Sequence, residues 1–133
     1  PHAVAFAQSV GLPITLFTVA IPRAIPMAPF GTGALLADEG DLTRQEHDAH
    51  QRLEDLAASL PEGATVEVAT DMTAARAIIE KAASSGAGAI AMATHGRTGI
   101  ARLVLGSVSD AVLRGSPQAM LLYRPTDLES QTK

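Results

Sequence analysis

The apolar positions of this 133-residue chain alternate between helical spacing and short continuous runs. Helical spacing appears at once, because Ala3, Phe6, Ala7 and Val10 share one helical face before Gly11, a typical helix stop. Three further segments repeat this spacing, and four short apolar runs lie between the helical segments. The pattern predicts helices over residues 1–10, 43–60, 73–84 and 107–114, and strands over 13–20, 64–70, 87–94 and 118–123.

The strand patterns and their order indicate the fold. Residues 64–70 alternate between apolar and polar, which is typical of an edge strand with one exposed face. Residues 87–94 are apolar on both faces, as a central parallel strand must be. A segment of helix length lies between successive strands, and such crossovers predict parallel strands covered by helices on both faces. The fold class is therefore α/β, with a doubly wound parallel sheet.

Local signals place the helix boundaries and one long loop. Thr43 and Glu46 form a Thr-x-x-Glu capping box, which predicts the start of the second helix. Asp71 or Thr73 is placed to cap the third helix. Residues 21–42 hold three prolines and three glycines and show no sustained period, so we predict a long loop there.

Composition narrows the class of protein. Hydrophobic residues make up 47% of the chain and charged residues 18%, which suits one compact domain over residues 1–125 with a polar tail over 126–133. A net charge of −4 argues against nucleic acid as a partner. The chain has no cysteine, which excludes disulfides, thiolate nucleophiles and cysteine-based zinc sites. Without a signal peptide or an apolar run of about 18 residues, we expect a cytoplasmic protein with no membrane partner.

The segment over residues 93–107, ATHGRTGIARLVLGS, has the composition of a phosphate site. It follows an apolar strand, contains Gly96 and Gly106, and leads into a helix that begins near Ser107. Glycines let backbone N–H groups approach phosphate oxygens, and a helix N-terminus adds partial positive charge. Ser107 can act as an N-cap or as a hydroxyl donor to phosphate, and Arg97 and Arg102 can screen charge. A structural turn without a ligand is the alternative.

Other motifs carry less chemistry. The segment has no Gly-Lys-Ser/Thr and is not a Walker A loop, and no Gly-x-Gly-x-x-Gly occurs in the chain. His47 and His50 do not have His-Glu-x-x-His spacing, so a solvated helix face is favoured over a metal site. Arg114 and Asp110 are spaced as a pair on a helix surface. We predict no catalytic residue and no protein side chain as a metal ligand.

Residues 92–125, MATHGRTGIARLVLGSVSDAVLRGSPQAMLLYRP, resemble the C-terminal half of a universal stress protein domain of the ATP-binding, UspA-like type. Such members carry Gly-x2-Gly-x9-Gly-Ser/Thr. Gly96 takes the second glycine position here, and nine residues separate it from Gly106 and Ser107. The first glycine position is Ala93, a departure that keeps a small side chain. The resemblance extends over nearly the whole chain.

The resemblance implies a set of nucleotide-binding residues. Val19 would meet the adenine through its backbone, and Met92 and Ala93 would line the base and ribose. Phosphates would lie against Gly96, Gly106, Ser107 and Val108, with His95 and Arg97 beside them. The implied cofactor is ATP, with or without Mg²⁺.

The resemblance also implies the sheet order 3-2-1-4-5, whose central strand ends in an Asp-Gly-Ser-like turn. The sequence opens inside the first helix and has no counterpart of this strand or its Asp. The second and fourth strands of the family would then lack their shared neighbour. Upstream residues are the favoured source of that strand; a borrowed strand or residues 33–37 in the gap are the alternatives.

Three functions follow from the resemblance. The first is a stress-linked regulatory module that binds ATP and acts as a homodimer through the last strand, residues 118–123, with a regulatory protein partner as a further option. The second is a dimerisation domain that binds no nucleotide, which Ala93 favours. The third is a slow ATPase or phosphotransfer enzyme, which the lack of an acidic Mg²⁺ cluster near the motif disfavours.

Overall fold

A computed structural model describes residues 1–22, 24–25, 36–37, 39–94 and 105–124. Helices and strands alternate along most of the chain, and both longer strand pairs are parallel. The predicted α/β class is therefore confirmed. The helices are α1 (His2–Val10), α2 (Glu39–Ala58), α3 (Ala74–Ser84) and α4 (Ser107–Gly115). The strands are β1 (Thr15–Ala20), β2 (Ala24–Ile25), β3 (Leu36–Ala37), β4 (Thr65–Thr70), β5 (Ala89–Ala93) and β6 (Ala119–Tyr123).

The end of α1 confirms the sequence signal at Gly11. This residue has a φ of 67° in the left-handed region, where a side chain would be strained, and its N–H turns back to the carbonyls of Ala7 and Gln8. The N–H of Leu12 also bonds to the Ala7 carbonyl, at 2.9 Å. The chain can therefore leave the helix and enter β1 within a few residues.

The predicted start of α2 is wrong. The helix begins at Glu39, so Thr43 lies inside it and its hydroxyl donates to the Glu39 carbonyl at 2.8 Å. Glu39 and Asp41 lie in the first turn, where negative charge interacts favourably with the helix dipole. The loop predicted over 21–42 is accordingly shorter, and it also contains β2 and β3, which pair antiparallel.

The longer strands form two separate parallel pairs. β1 pairs with β4 from Thr15 opposite Thr65 to Ala20 opposite Thr70. β5 pairs with β6 from Ala89 opposite Ala119 to Ala93 opposite Tyr123. Each pair is joined through at least one helix, as parallel connections require.

In the part of the chain that the structure describes, no strand joins β1 to β5. A cleft of about 440 Å³ lies between them, lined by both strands and by α3. Leu36 and Ala37 pair with β2, so this end of segment 33–37 does not fill the gap, contrary to one alternative from the sequence. β5, which the sequence predicts to be central, has β6 as its one strand neighbour among these residues.

Helices cover the strand pairs and build the core. α2 packs on β1 and β4, while α3 packs against β1 and α4. Val112 of α4 is completely buried, within a cluster that also contains Ala75, Ala82 and Ile90. The core therefore fixes α4 and β5 together, and the candidate site lies at their junction. Across the described ranges, no helix has the length and apolar character needed to cross a membrane.

Candidate anion-binding site

The end of β5 and the start of α4 are tied together by two hydrogen bonds. The N–H of Gly106 donates to the Thr94 carbonyl at 2.8 Å. The hydroxyl of Ser109, which is only 4% exposed, donates to the Ala93 carbonyl at 3.0 Å. Both acceptors belong to the carboxyl end of β5, so the helix N-terminus is fixed against that end of the strand.

Gly106 is required here by space rather than by backbone conformation. Its φ of −58° and ψ of 149° are ordinary extended values that any residue adopts. A Cβ at this position would lie 2.9 Å from the Thr94 carbonyl oxygen, closer than real contacts allow. Glycine therefore permits the close approach of strand end and helix start.

The N-terminus of α4 presents backbone donors. Gly106 is the N-cap, and among the described residues no side chain caps the helix. Ser107 is therefore the first helical residue and not the N-cap that the sequence suggested. The Asp110 N–H makes a helical bond to the Gly106 carbonyl at 2.8 Å. The N–H groups of residues 107–109 precede that bond and therefore have no acceptor within the helix. Such groups attract anions.

One acidic side chain lies near these donors. Asp110 is in the first turn of α4, where its charge competes with a bound anion. Both of its carboxylate oxygens share the Nε–H of Arg114, at 3.0 and 2.9 Å, and the pairing agrees with the sequence spacing. Because this ion pair is largely exposed to solvent, Arg114 compensates the negative charge of Asp110 only in part.

The predicted base-side residues lie towards the carboxyl ends of their strands. Val19 is the penultimate residue of β1, and Met92 and Ala93 close β5. Both strands start on the same side of the molecule, because a Cβ on Gly88 would lie 3.6 Å from Leu12 Cδ1, and these residues precede the two strands. Three further predicted residues, His95, Gly96 and Arg97, lie outside the described residues.

Asp71 follows β4 and has a structural role. Its carboxylate accepts the Thr73 N–H at 2.7 Å and pairs with Arg76 through both oxygens. The hydrogen bond from the Thr73 backbone, followed by the bond from Arg76, lowers the pKa of Asp71. Thr73 is the N-cap of α3, and its side chain makes no cap hydrogen bond. Of the two candidates from the sequence, Asp71 is therefore the one whose side chain accepts an N–H at this helix start.

Sequence reasoning missed Ser109. The available signal was its spacing, since Ser109 precedes the buried Val112 by three residues and so shares its helical face. A polar residue on a buried face needs a hydrogen-bond partner. That partner is the Ala93 carbonyl, which is distant in sequence.

Fold and site together define a small α/β domain in which a helix N-terminus meets the end of a parallel strand. The model of the universal stress protein family matches residues 1–124, so the chain belongs to that family. A search of the curated proteins found no significant match.

Two solved structures share the fold. The hypothetical protein MJ0577, whose structure was used to assign its biochemical function, has a TM-score of 0.69 and 20% identity, covering 94% of this chain and 84% of its own. Universal stress protein UspA from Lactobacillus plantarum has a TM-score of 0.64 and 18% identity, covering 92% and 85%. The resemblance of the sequence motif to universal stress proteins is therefore confirmed at the level of the family.

Proposed function

We propose that this protein is a stress-linked regulatory module that binds ATP at the junction of β5 and α4. The observation that carries the proposal is the N-terminus of α4, which no side chain caps in the described part of the chain and which Gly106 fixes against the strand end. Three backbone donors converge there, and the helix dipole favours negative charge. A polyphosphate is the anion that best uses several donors in a row.

The proposal assigns two halves to the site. The N–H groups of Ser107 and Val108, next to Gly106, bind phosphate oxygens, and both side chains are exposed at the surface. Val19, Met92 and Ala93 take the base and ribose. The motif residues His95, Gly96 and Arg97 belong to the phosphate half. The chain therefore fits ATP, with Mg²⁺ bound through the phosphates rather than through side chains.

Calorimetric titration with ATP, AMP and adenosine tests the proposal. ATP should bind more tightly than AMP, and AMP more tightly than adenosine, because each ligand in this order has fewer negatively charged phosphates to interact with the helix N-terminus. Equal affinities would contradict the role of α4, and no heat with any of the three would overturn nucleotide binding. Steady-state phosphate release should stay far below about 10 s⁻¹, a typical enzyme turnover.

The proposal includes the five-stranded order of the family. In this order β4 and β1 form one side and β5 and β6 form the other, as their pairings allow. A central strand between β1 and β5 is part of the proposal. The cleft between those two strands supports this order, because it has a strand on either side. A ligand at the carboxyl ends of β1 and β5 would then lie where the order of connections reverses, the usual place in such sheets.

We also propose that the protein acts as a homodimer through β6, Ala119–Tyr123. Among the described strands, β6 pairs with β5 alone, so its other edge is open to a second copy. Light scattering should show the dimer mass, and a monomer at working concentration would contradict the proposal. We predict that the protein is cytoplasmic. A regulatory protein partner is a further prediction.

A further inference from the structure

Two turns lie side by side at the end of the molecule where β1 and β4 begin. The first turn follows α1 at Gly11, and the second follows α2 and contains Gly63, whose φ of 69° is again in the left-handed region. The Thr65 N–H donates to the Ile14 carbonyl at 2.9 Å, and this bond fixes the second turn beside the first. The C-terminal ends of α1 and α2 are therefore brought to the same end of the strand pair.

A cavity of about 400 Å³ lies between these turns, and we call it the basal cavity. Its volume is within the usual range for small-molecule sites. Val4 and Gln8 line it from one face of α1, residues 12–14 line it after α1, and residues 60–65 line it after α2. Most of these side chains are apolar, and Glu62 contributes the one charged group among them.

The basal cavity lies at the negative ends of two helix dipoles. The Leu12 N–H donates to the Ala7 carbonyl in the last turn of α1, at 2.9 Å. In the same way the Leu60 N–H donates to the Ala57 carbonyl in the last turn of α2, at 3.1 Å. Both leucines line the cavity, and neither last turn contains a basic residue. Each helix C-terminus therefore contributes about half an elementary negative charge without a compensating cation.

Glu62 adds a full negative charge to these two helix ends. Its side chain is exposed, and within the described ranges it makes no ion pair. No lysine, arginine or histidine is among the described residues that line the cavity. The carboxylate and the two helix ends together amount to about two negative charges. A dication is therefore the ligand whose charge matches this lining.

We propose that the basal cavity binds a small aliphatic diamine in its dicationic form. Its two ammonium groups would balance the charge of Glu62 and of the helix ends, and each has three N–H donors for carboxylate or carbonyl oxygens. Its methylene chain would cover the apolar side chains of Leu12, Leu60 and Pro61. A monoamine balances only half of the charge. Mg²⁺ has the charge but no apolar part, and it gives up its water shell reluctantly.

The basal cavity is separate from the proposed nucleotide site. Ile14 lines the cavity just before β1 begins, whereas Val19 lies near the other end of that strand. At about 3.3 Å per residue, these two residues are about 16 Å apart. The proposal therefore does not rest on ATP binding. Its test is carried out without nucleotide, because ATP itself binds amines in solution.

Calorimetric titration with 1,4-diaminobutane tests the charge and the chain of the ligand. The controls are 1-aminobutane, which has the same chain and one charge, and Mg²⁺, which has two charges and no chain. The diamine should bind at least tenfold more tightly than either control. Equal affinity for aminobutane would overturn the matching of charge, and equal affinity for Mg²⁺ would overturn the role of the chain. A diamine that does not bind would overturn the site.

Two exposed positions allow the charge of the cavity to be changed from the protein side. Glu62→Gln should weaken diamine binding at least tenfold, whereas Glu80→Gln, on an exposed residue of α3 that does not line the cavity, should leave the affinity unchanged. Gln8→Lys should weaken binding and Gln8→Glu should strengthen it, because the new charges act from the α1 side of the cavity. Circular dichroism verifies the fold of each variant. Equal losses in Glu62→Gln and Glu80→Gln would show that only net charge matters, and would overturn the site.

Amide NMR of the ¹⁵N-labelled protein locates the ligand. The diamine should shift the resonances of Leu12, Glu62 and Gly63, and Glu62→Gln should remove most of these shifts. Shifts spread over the acidic residues of α2 instead would show general attraction to a protein of net charge −4, and would overturn the proposal. N-acetyl-lysine amide should bind more weakly than the diamine. Tighter binding of that compound would show that the cavity receives a lysine side chain of a partner protein, and would also overturn it.

Discussion

Replacing Gly106 with alanine tests the junction of β5 and α4 at its closest contact. The new Cβ would lie 2.9 Å from the Thr94 carbonyl oxygen, so that the carbonyl must retreat by about half an ångström to reach ordinary contact. This retreat lengthens the 2.8 Å hydrogen bond between the Gly106 N–H and the same oxygen. The helix start and the strand end therefore separate.

Three effects determine the change in the free energy of unfolding: two destabilise the fold and one stabilises it. Overpacking costs about 1–3 kcal/mol, and the weakened hydrogen bond adds up to about 1 kcal/mol. Alanine fits the backbone of Gly106, so a less flexible unfolded chain returns about 0.4–1 kcal/mol. The middle of these ranges gives a fall of about 2 kcal/mol in the free energy of unfolding. ATP affinity should fall at least about tenfold, because displaced amides lose a charge-assisted bond of about 1.5–3 kcal/mol.

The matched control is Gly115→Ala at the other end of α4. Its Cβ would meet the flexible end of the Ile79 side chain, at 2.7 Å from Cδ1, and not a backbone atom. The two positions are nine residues apart along the helix, or about 14 Å. Gly115→Ala should therefore change stability without changing ATP affinity.

Urea denaturation and calorimetric titration of both variants provide the readouts. An unchanged affinity in Gly106→Ala, alongside ATP binding by the parent protein, would refute the role of this junction. Equal losses of affinity in the two variants would refute it as well, since a general loss of stability would then explain both.

Three further predictions concern other residues. Ser109→Ala should lower the free energy of unfolding by about 1 kcal/mol in urea denaturation, because the Ala93 carbonyl loses its donor; no change would contradict this contact. The pKa of Asp71 is lowered in the folded protein, so its ionised carboxylate stabilises the fold. This stabilisation is complete at a pH above the ordinary pKa of about 3.9, and it is lost as the pH falls through the lower pKa of the folded protein. The stability difference from Asp71→Asn should therefore shrink in acid, and a pH-independent difference would refute this reasoning. The Tyr123 carbonyl accepts the Thr94 N–H, so the backbone N–H of its neighbour Leu122 is directed away from β5. Leu122→Pro removes this N–H and should give a monomer in light scattering, whereas Leu122→Val should stay a dimer. A dimeric proline variant would exclude this edge.

Local signals in the sequence predicted the elements that depend on local chemistry. Gly11 was identified as the stop of α1 because few other residues tolerate its backbone conformation. The parallel strands were predicted because the connections are of helix length. β2 and β3 were missed, since two-residue strands show no periodicity. The start of α2 was missed because the capping box predicted a start at Thr43. The helix begins four residues earlier, with Glu39 and Asp41 in its first turn.

The candidate site was predictable only in part. Glycine at 106 and a helix from Ser107 follow from the motif and its spacing. The hydrogen bond from Ser109 to Ala93 joins residues sixteen positions apart, and no local pattern reveals it. The lining of the cleft between β1 and β5 depends on which elements are neighbours in space, which is a tertiary property. No local pattern in the sequence predicts it.

Backbone amide NMR of the ¹⁵N-labelled protein tests the central claim most directly. ATP should shift the amide resonances of Ser107, Val108 and Ser109 strongly, whereas adenosine should shift them weakly. This pattern follows because the phosphates approach the N–H groups at the start of α4. ATP that binds while these three resonances stay in place would contradict the account.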